Sequence, residues 1–124
     1  MGGRVLGIGS MDPELERRLD EGFETHWLDR VPDAERNAFL DAVGPEIVVV
    51  VTSSRIGLTS DVIDRLPALR AVSSFSAGVD GIDVAALRRR GVPLGTTADL
   101  LPDEVANLAV ALALAVTREV VAND

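Results

Sequence analysis

Ile47-Val48-Val49-Val50-Val51 is the stretch on which the fold turns. β-Branched side chains are stiff at χ1 and favour extended backbone. An unbroken apolar run, rather than an alternating one, suits a strand covered on both faces, as in a parallel sheet flanked by helices. Outward from it, helix signals and strand signals alternate. Upstream, Asp33 reads as the cap of a helix carrying Ala34, Phe39, Leu40 and Val43 on one stripe, with Gly44-Pro45 as its stop. Residues 24–28 read as a strand before it. Asp12-Pro13 reads as an N-cap followed by proline at the first helical position, with Leu15 and Leu19 four apart in the helix. Arg4-Val5-Leu6-Gly7-Ile8-Gly9 opens the chain as a first strand. Downstream, residues 59–66 predict a short helix and residues 70–75 a strand. Residues 83–90 predict a helix capped by Asp83 and ended by Gly91, followed by a short strand over 92–95. A long helix then runs from about Pro102 or Asp103 to about Val121. Strands spaced by helices predict an α/β protein: a flavodoxin-like, doubly wound, parallel sheet of five strands with a long apolar C-terminal helix.

The 124 residues fit one domain. Twenty acidic and twelve basic residues give a net charge of −8. A phosphate-binding groove or an anionic membrane surface needs clustered positive charge, so neither nucleic acid nor membrane is expected as a partner. Every basic residue is Arg, which excludes Schiff-base lysine chemistry. Cysteine is absent, which excludes thiolate nucleophiles, disulfides and cysteine-held zinc, and no metal site is expected. No signal peptide is visible after Met1-Gly2-Gly3-Arg4, and the longest apolar run, residues 108–116, is far short of the ~20 residues of a membrane span. The expectation is a soluble protein, cytoplasmic by default.

Gly7-Ile8-Gly9 is two-thirds of a dinucleotide fingerprint, and Asp29 stands about where a ribose-binding acid belongs. The third glycine is replaced by Asp12, an anion where pyrophosphate would sit. An Asp-Pro helix start accounts for the segment without a ligand. His26, the one histidine, has no motif partner and receives no role, and the serines lack a nucleophile elbow. Two loops fall where open α/β sheets bind ligands, at the C-terminal ends of strands. They are Thr52-Ser53-Ser54-Arg55 and Ser76-Ala77-Gly78-Val79-Asp80. Small residues there leave backbone N–H groups able to hold a carboxylate, and Arg55 can add a charge-assisted bond. Ordinary β–α turns, with Asp80 and Asp83 as caps, explain the same residues. In the C-terminal helix Val105, Leu108, Val110, Leu112, Leu114, Val116, Val120 and Val121 point in many directions. Such a helix needs cover from a second domain or subunit.

From the second loop onward the chain resembles the D-2-hydroxyacid dehydrogenase family. The resemblance is carried by Ala71-Val72-Ser73-Ser74-Phe75-Ser76-Ala77-Gly78-Val79-Asp80-Gly81-Ile82-Asp83, by Ala86-Leu87-Arg88-Arg89-Arg90-Gly91-Val92, by Thr97-Ala98-Asp99-Leu100-Leu101 and by Glu104-Val105-Ala106-Asn107-Leu108. Within the family it is most similar to glyoxylate/hydroxypyruvate and hydroxyphenylpyruvate reductases. It covers residues 45–121 closely and the first 44 in outline.

The resemblance implies a substrate domain over 1–101 and a hinge or dimerisation helix over 102–124, leading toward a separate Rossmann domain. It implies an NAD- or NADP-dependent reduction of a small 2-keto acid by a homodimer formed through residues 103–121. It places the substrate carboxylate on the Ala77 and Gly78 amides, the substrate pocket at Ser53, Ser54 and Arg55, and Leu101 and Pro102 near the nicotinamide. Thr96-Thr97-Ala98 stands where the family often has Asn-Thr-Pro, and Asn107 where it has an acid. The family's glycine-rich loop and its catalytic Arg, Glu and His fall after the point matching Asp124, so no catalytic residue is assigned. The leading expectation is therefore the substrate-binding portion of a reductase, inactive alone. The alternative is a non-catalytic carboxylate-binding or dimerisation module. A phosphoacceptor domain is set aside for want of a lysine, and a flavin protein has no specific support.

Overall fold

The computed structural model describes residues 4–97 together with Val110 and Ala111, which are helical. Five strands, β1 (Arg4–Gly7), β2 (Glu24–Trp27), β3 (Ile47–Thr52), β4 (Ala71–Ser74) and β5 (Leu94–Gly95), form one sheet in the order β2-β1-β3-β4-β5. Every pairing is parallel. This is the flavodoxin-like order, and its direction reverses between β1 and β3. Helices α1 (Pro13–Gly22), α2 (Arg36–Val43), α3 (Ser60–Asp64) and α4 (Val84–Arg89) fill the crossovers. Right-handed crossovers place α1 on one face of the sheet and α2, α3 and α4 on the other. The core follows that division. Leu6, Val50 and Val72 of the strands pack in one cluster with Leu40 of α2, Ile63 of α3 and Ala86 and Leu87 of α4. Helix α1 contributes no buried residue.

β3 is the central strand, as its sequence predicts, but it is not covered evenly. Ile47, Val50 and Val51 are buried whereas Val48 and Val49 are partly exposed. The C-terminal apolar helix expected over 103–121 lies outside the described residues apart from Val110 and Ala111, as do Leu101 and Pro102.

The caps explain where the elements begin. Asp12 accepts from the Glu14 amide at 2.9 Å with Pro13 in the first turn, Thr59 accepts from Val62, and Asp83 accepts from the Ala86 amide at 2.9 Å. Asp33 departs from its expected role. It opens a 3₁₀ turn, Asp33–Glu35, with no side-chain cap, and its carboxylate pairs with Arg36 at 2.8 Å instead. Gly44-Pro45 ends α2 through a second 3₁₀ turn, Gly44–Glu46, rather than a clean stop. A Cβ on Gly44 would strike the Arg65 carbonyl, so glycine is required for that approach.

Arg90, one residue past α4, clamps the end of α3. Its guanidinium donates to the Ile63 carbonyl at 2.6 Å and the Leu66 carbonyl at 2.8 Å. Each carbonyl also accepts a backbone N–H, from Leu66 at 3.0 Å and from Leu69 at 3.1 Å, so Arg90 fills the second lone pair of both. Arg90→Ala is expected to lower unfolding stability by about 1–2 kcal/mol, measured by urea titration. Arg89→Ala, at a residue with no such bond among the described ones, should stay within about 0.5 kcal/mol.

On α1, the Arg17 guanidinium, then that of Arg18, holds the Glu14 carboxyl below its ordinary range. A carboxyl depressed in the folded state adds stability above its unfolded pKa and loses it as the pH falls through the folded value. Carboxyl NMR titration should find Glu14 protonating below the ordinary glutamate range, and Arg17→Ala should raise its midpoint.

Candidate functional site

The direction reversal between β1 and β3 leaves a crevice at the C-terminal ends of the strands, the usual ligand position in open α/β sheets. An open cleft of ≈ 590 Å³ lies there. Its lining comes from three loops: Ser10 after β1, Ser53, Arg55 and Ile56 after β3, and Phe75 and Ser76 after β4. The two loops singled out in the sequence are thus brought together. Ser10, Ile56 and Phe75 are additions that pattern alone does not reveal. Ile56 and Phe75 are each about half exposed, at 50% and 52%.

The loops are joined by backbone. Phe75 N–H donates to the Thr52 carbonyl at 2.7 Å, extending the β3–β4 ladder. Leu58 N–H donates to Gly81 and Asp83 N–H donates to Leu58, both at 2.9 Å, so Leu58 and Ile82 form a further parallel bridge. Gly57 and Gly81 meet where these segments cross. A Cβ on Gly57 would collide with the Gly81 carbonyl, and Gly57 has a φ of 89°, which L side chains rarely adopt. A Cβ on Gly81 would collide with the Ser54 carbonyl. Buried Thr52 adds a 2.8 Å bond from its hydroxyl to the Gly57 carbonyl.

Within this frame the expected site residues have different duties. Ser53 folds its own loop: its carbonyl accepts from Gly57 N–H at 2.7 Å and its hydroxyl from Ile56 N–H at 3.3 Å. Ser54 spends its amide on the Ser76 hydroxyl at 2.9 Å. Arg55 is exposed on the cleft and makes no ion pair or hydrogen bond among the described residues. Ala77 and Gly78 are exposed, directly beyond the cleft-lining Ser76. Their amides have no protein acceptor among the described residues. Even a Cβ on Gly78 would come no nearer than 3.8 Å to Ser54 Oγ. The arrangement therefore offers two open backbone donors and one unpaired guanidinium to an anion, without a titrating acid or base. The expected nicotinamide-side residues, Leu101 and Pro102, lie outside the described residues.

The Gly7-Ile8-Gly9 segment is bound internally. Gly9 N–H donates to Asp29 Oδ1 at 2.5 Å, and Asp12 caps α1. Asp29, twenty residues beyond Gly9, serves as an acceptor for that loop. His26 sits on β2 with its ring edge-on to Phe39 at 6.0 Å and its Nε2 3.6 Å from Glu24. Among the described residues no group of three or more His, Cys, Asp and Glu is placed to hold a metal ion, and no helix is long and apolar enough to cross a membrane.

A family model described as the catalytic domain of D-isomer specific 2-hydroxyacid dehydrogenases matches residues 5–123. The chain is 39% identical over 118 residues to a hydroxyphenylpyruvate reductase of Plectranthus scutellarioides, covering 94% of this chain and 36% of that protein. The solved 2-hydroxyacid dehydrogenase of Ketogulonicigenium vulgare Y25 superposes with a TM-score of 0.88 at 32% identity, over 99% of this chain and 38% of that one. An NADPH-dependent glyoxylate/hydroxypyruvate reductase of Sinorhizobium meliloti, solved with NADP and malonate, gives 0.69 at 27% identity over 93% and 34% of the two chains. The chain thus spans little more than a third of the length of the curated relatives it matches.

Gly81→Ala places a methyl group against a backbone carbonyl that the paired loops cannot move. It is expected to cost about 1–3 kcal/mol, whereas Gly78→Ala, with open space around it, should stay within about 0.5–1 kcal/mol. Paired thermal melts of the two variants check this.

Proposed function

The chain belongs to the D-isomer specific 2-hydroxyacid dehydrogenase family, and on that footing we propose that it supplies the acid-binding part of an NAD(P)-dependent 2-keto acid reductase. The observation that supports this most directly is the pair of open amides at Ala77 and Gly78, directly after cleft-lining Ser76, together with Arg55, unpaired among the described residues, on the same switch-point cleft. In this reading the two amides receive the substrate carboxylate, and Arg55 adds positive charge at the mouth. Ser53 and Ser54 shape the pocket wall through the bonds that fold their loop. Backbone donors suit this task because they are held by the sheet and need little reordering when the anion arrives.

The cofactor of such a reductase, NAD or NADP, supplies hydride to the keto carbon. The described residues do not fit a dinucleotide. Gly9's amide is taken by Asp29, and Asp12 puts a carboxylate at the third position of the would-be fingerprint. The proposed contribution of these residues is therefore to bind and orient the acid. Leu101 and Pro102 as nicotinamide neighbours, residues 1–101 and 102–124 as substrate domain and hinge helix, and a homodimer through 103–121 belong to the same proposal. The support for the dimer is the all-round apolarity of that stretch. A cytoplasmic setting completes it.

The 124-residue chain is expected to bind glyoxylate or hydroxypyruvate weakly, by calorimetry or amide NMR, and to give no NAD(P)H-dependent reduction. Arg55→Ala should weaken binding about 3–10-fold, less than a buried charge pair would lose. Steady turnover by the pure chain would show that the chemistry does not need further residues. Binding that is unchanged by Arg55→Ala and shifts no amide near 77–78 would point to the non-catalytic dimerisation module instead.

A further inference from the structure

One hydroxyl joins both loops of the cleft. Ser76 Oγ accepts from Ser54 N–H at 2.9 Å, lies 2.7 Å from Ser74 Oγ, and donates to the Gly78 carbonyl at 3.2 Å. A serine hydroxyl has one proton and two lone pairs. With its proton directed to Gly78 and one lone pair given to Ser54, the remaining lone pair must receive the Ser74 proton. This assignment uses the hydroxyl fully. Ser74, at 2% exposure, is held in the core at the end of β4, so the chain of bonds starts from an immobile donor. The Ser76 backbone is held too, since its carbonyl accepts from Thr97 N–H at 3.1 Å.

The residue at the far end of this chain is the one least restrained by packing. Gly78 has no side chain, is exposed, and has nothing within 3.8 Å of where a Cβ would stand. A glycine in that setting samples more backbone conformations than any other residue. An anion seat made of its amide would lose affinity to the cost of ordering it. We infer that Ser76 is a positioning residue: by tethering the Gly78 carbonyl to the Ser54 amide and the buried Ser74, its hydroxyl holds the Ala77–Gly78 backbone in the form that receives a carboxylate. This rests on the proposal that the Ala77–Gly78 turn is the carboxylate seat.

The test is a glyoxylate titration of the chain followed by amide NMR, with wild type, Ser76→Ala and Ser76→Thr. In wild type, the Ala77 and Gly78 amides should shift saturably, while the Ser54 amide moves little and is protected from exchange. Ser76→Ala should weaken glyoxylate binding about tenfold, the loss of a charge-independent but geometry-setting bond, and unprotect Ser54. Ser76→Thr, which keeps the hydroxyl, should restore binding to within about threefold of wild type on the same scale. Equal affinity in wild type and Ser76→Ala would overturn the positioning role while leaving the carboxylate seat intact. No saturable shift in wild type would remove the seat and the positioning role together. If Ser76→Ala does not fold, the wild-type exchange rate decides: a Ser54 amide exchanging as freely as an exposed one shows that the tether does not form.

Discussion

β3 is hydrogen-bonded along both of its edges, and the remainder of the molecule is arranged by that constraint. A strand paired to β1 on one side and β4 on the other must sit at the centre of the sheet. The chain entered the sheet at β1 and moved outward to β2, so it has to cross back over β1 to reach the β3 position. That return fixes the reversal of direction and puts α1 and α2 on opposite faces. It also leaves the loops after β1 and β3 diverging, which opens the crevice into which Ser10, Ser53 and Arg55 face. The location of the cleft is thus a consequence of pairing order, before any ligand chemistry enters.

Beyond the strands, the same pairing continues in a form that only glycine permits. The Leu58–Ile82 bridge and the Gly57–Gly81 crossing pair the two loops in parallel again, though not in the β3–β4 register. Backbone packed on backbone there leaves no side chain to swing, so the loops behave as an extension of the sheet. The Ser74–Ser76–Gly78 chain of hydroxyls takes over where the backbone ladder ends. Rigidity therefore passes from core to ladder, from ladder to glycine crossing, and from there to the exposed turn. A site built mainly of main-chain amides needs such support, because its donors cannot be positioned by the packing of their own side chains.

The electrostatics are consistent with an anion seat in an acidic protein. With a net charge of −8 the molecule as a whole repels carboxylates. Among the described residues, the cleft lining carries no Asp or Glu, and its one charged residue is Arg55. The arginines of α1, by contrast, are tied up with acids: Arg17 bridges Glu14 and Glu21, and Arg18 joins Glu14. Arg55, left without a partner among the described residues, is available to an incoming ion.

The sequence by itself determined the class and order of the elements. The Ile47–Val51 run, the Asp12 and Asp83 caps and the Gly91 stop act through local sterics and local hydrogen bonds, which need no distant partner. It also marked the loops holding Ser53, Ser54, Arg55, Ala77 and Gly78, because topology places ligands at strand ends. Asp33 was misread as a cap for a related reason: an Asp at a helix start can cap, but pairing with Arg36 competed, and local pattern does not rank the two. What only the tertiary structure decided is which groups at those strand ends are already spent. Ser54's amide, Gly9's amide and the Ser76 hydroxyl are each satisfied by residues distant in sequence or by a turn geometry set from outside. Ala77, Gly78 and Arg55 are not so satisfied among the described residues. Hydrogen-bond satisfaction is a property of three-dimensional neighbours, so no spacing rule along the chain could have separated the two groups.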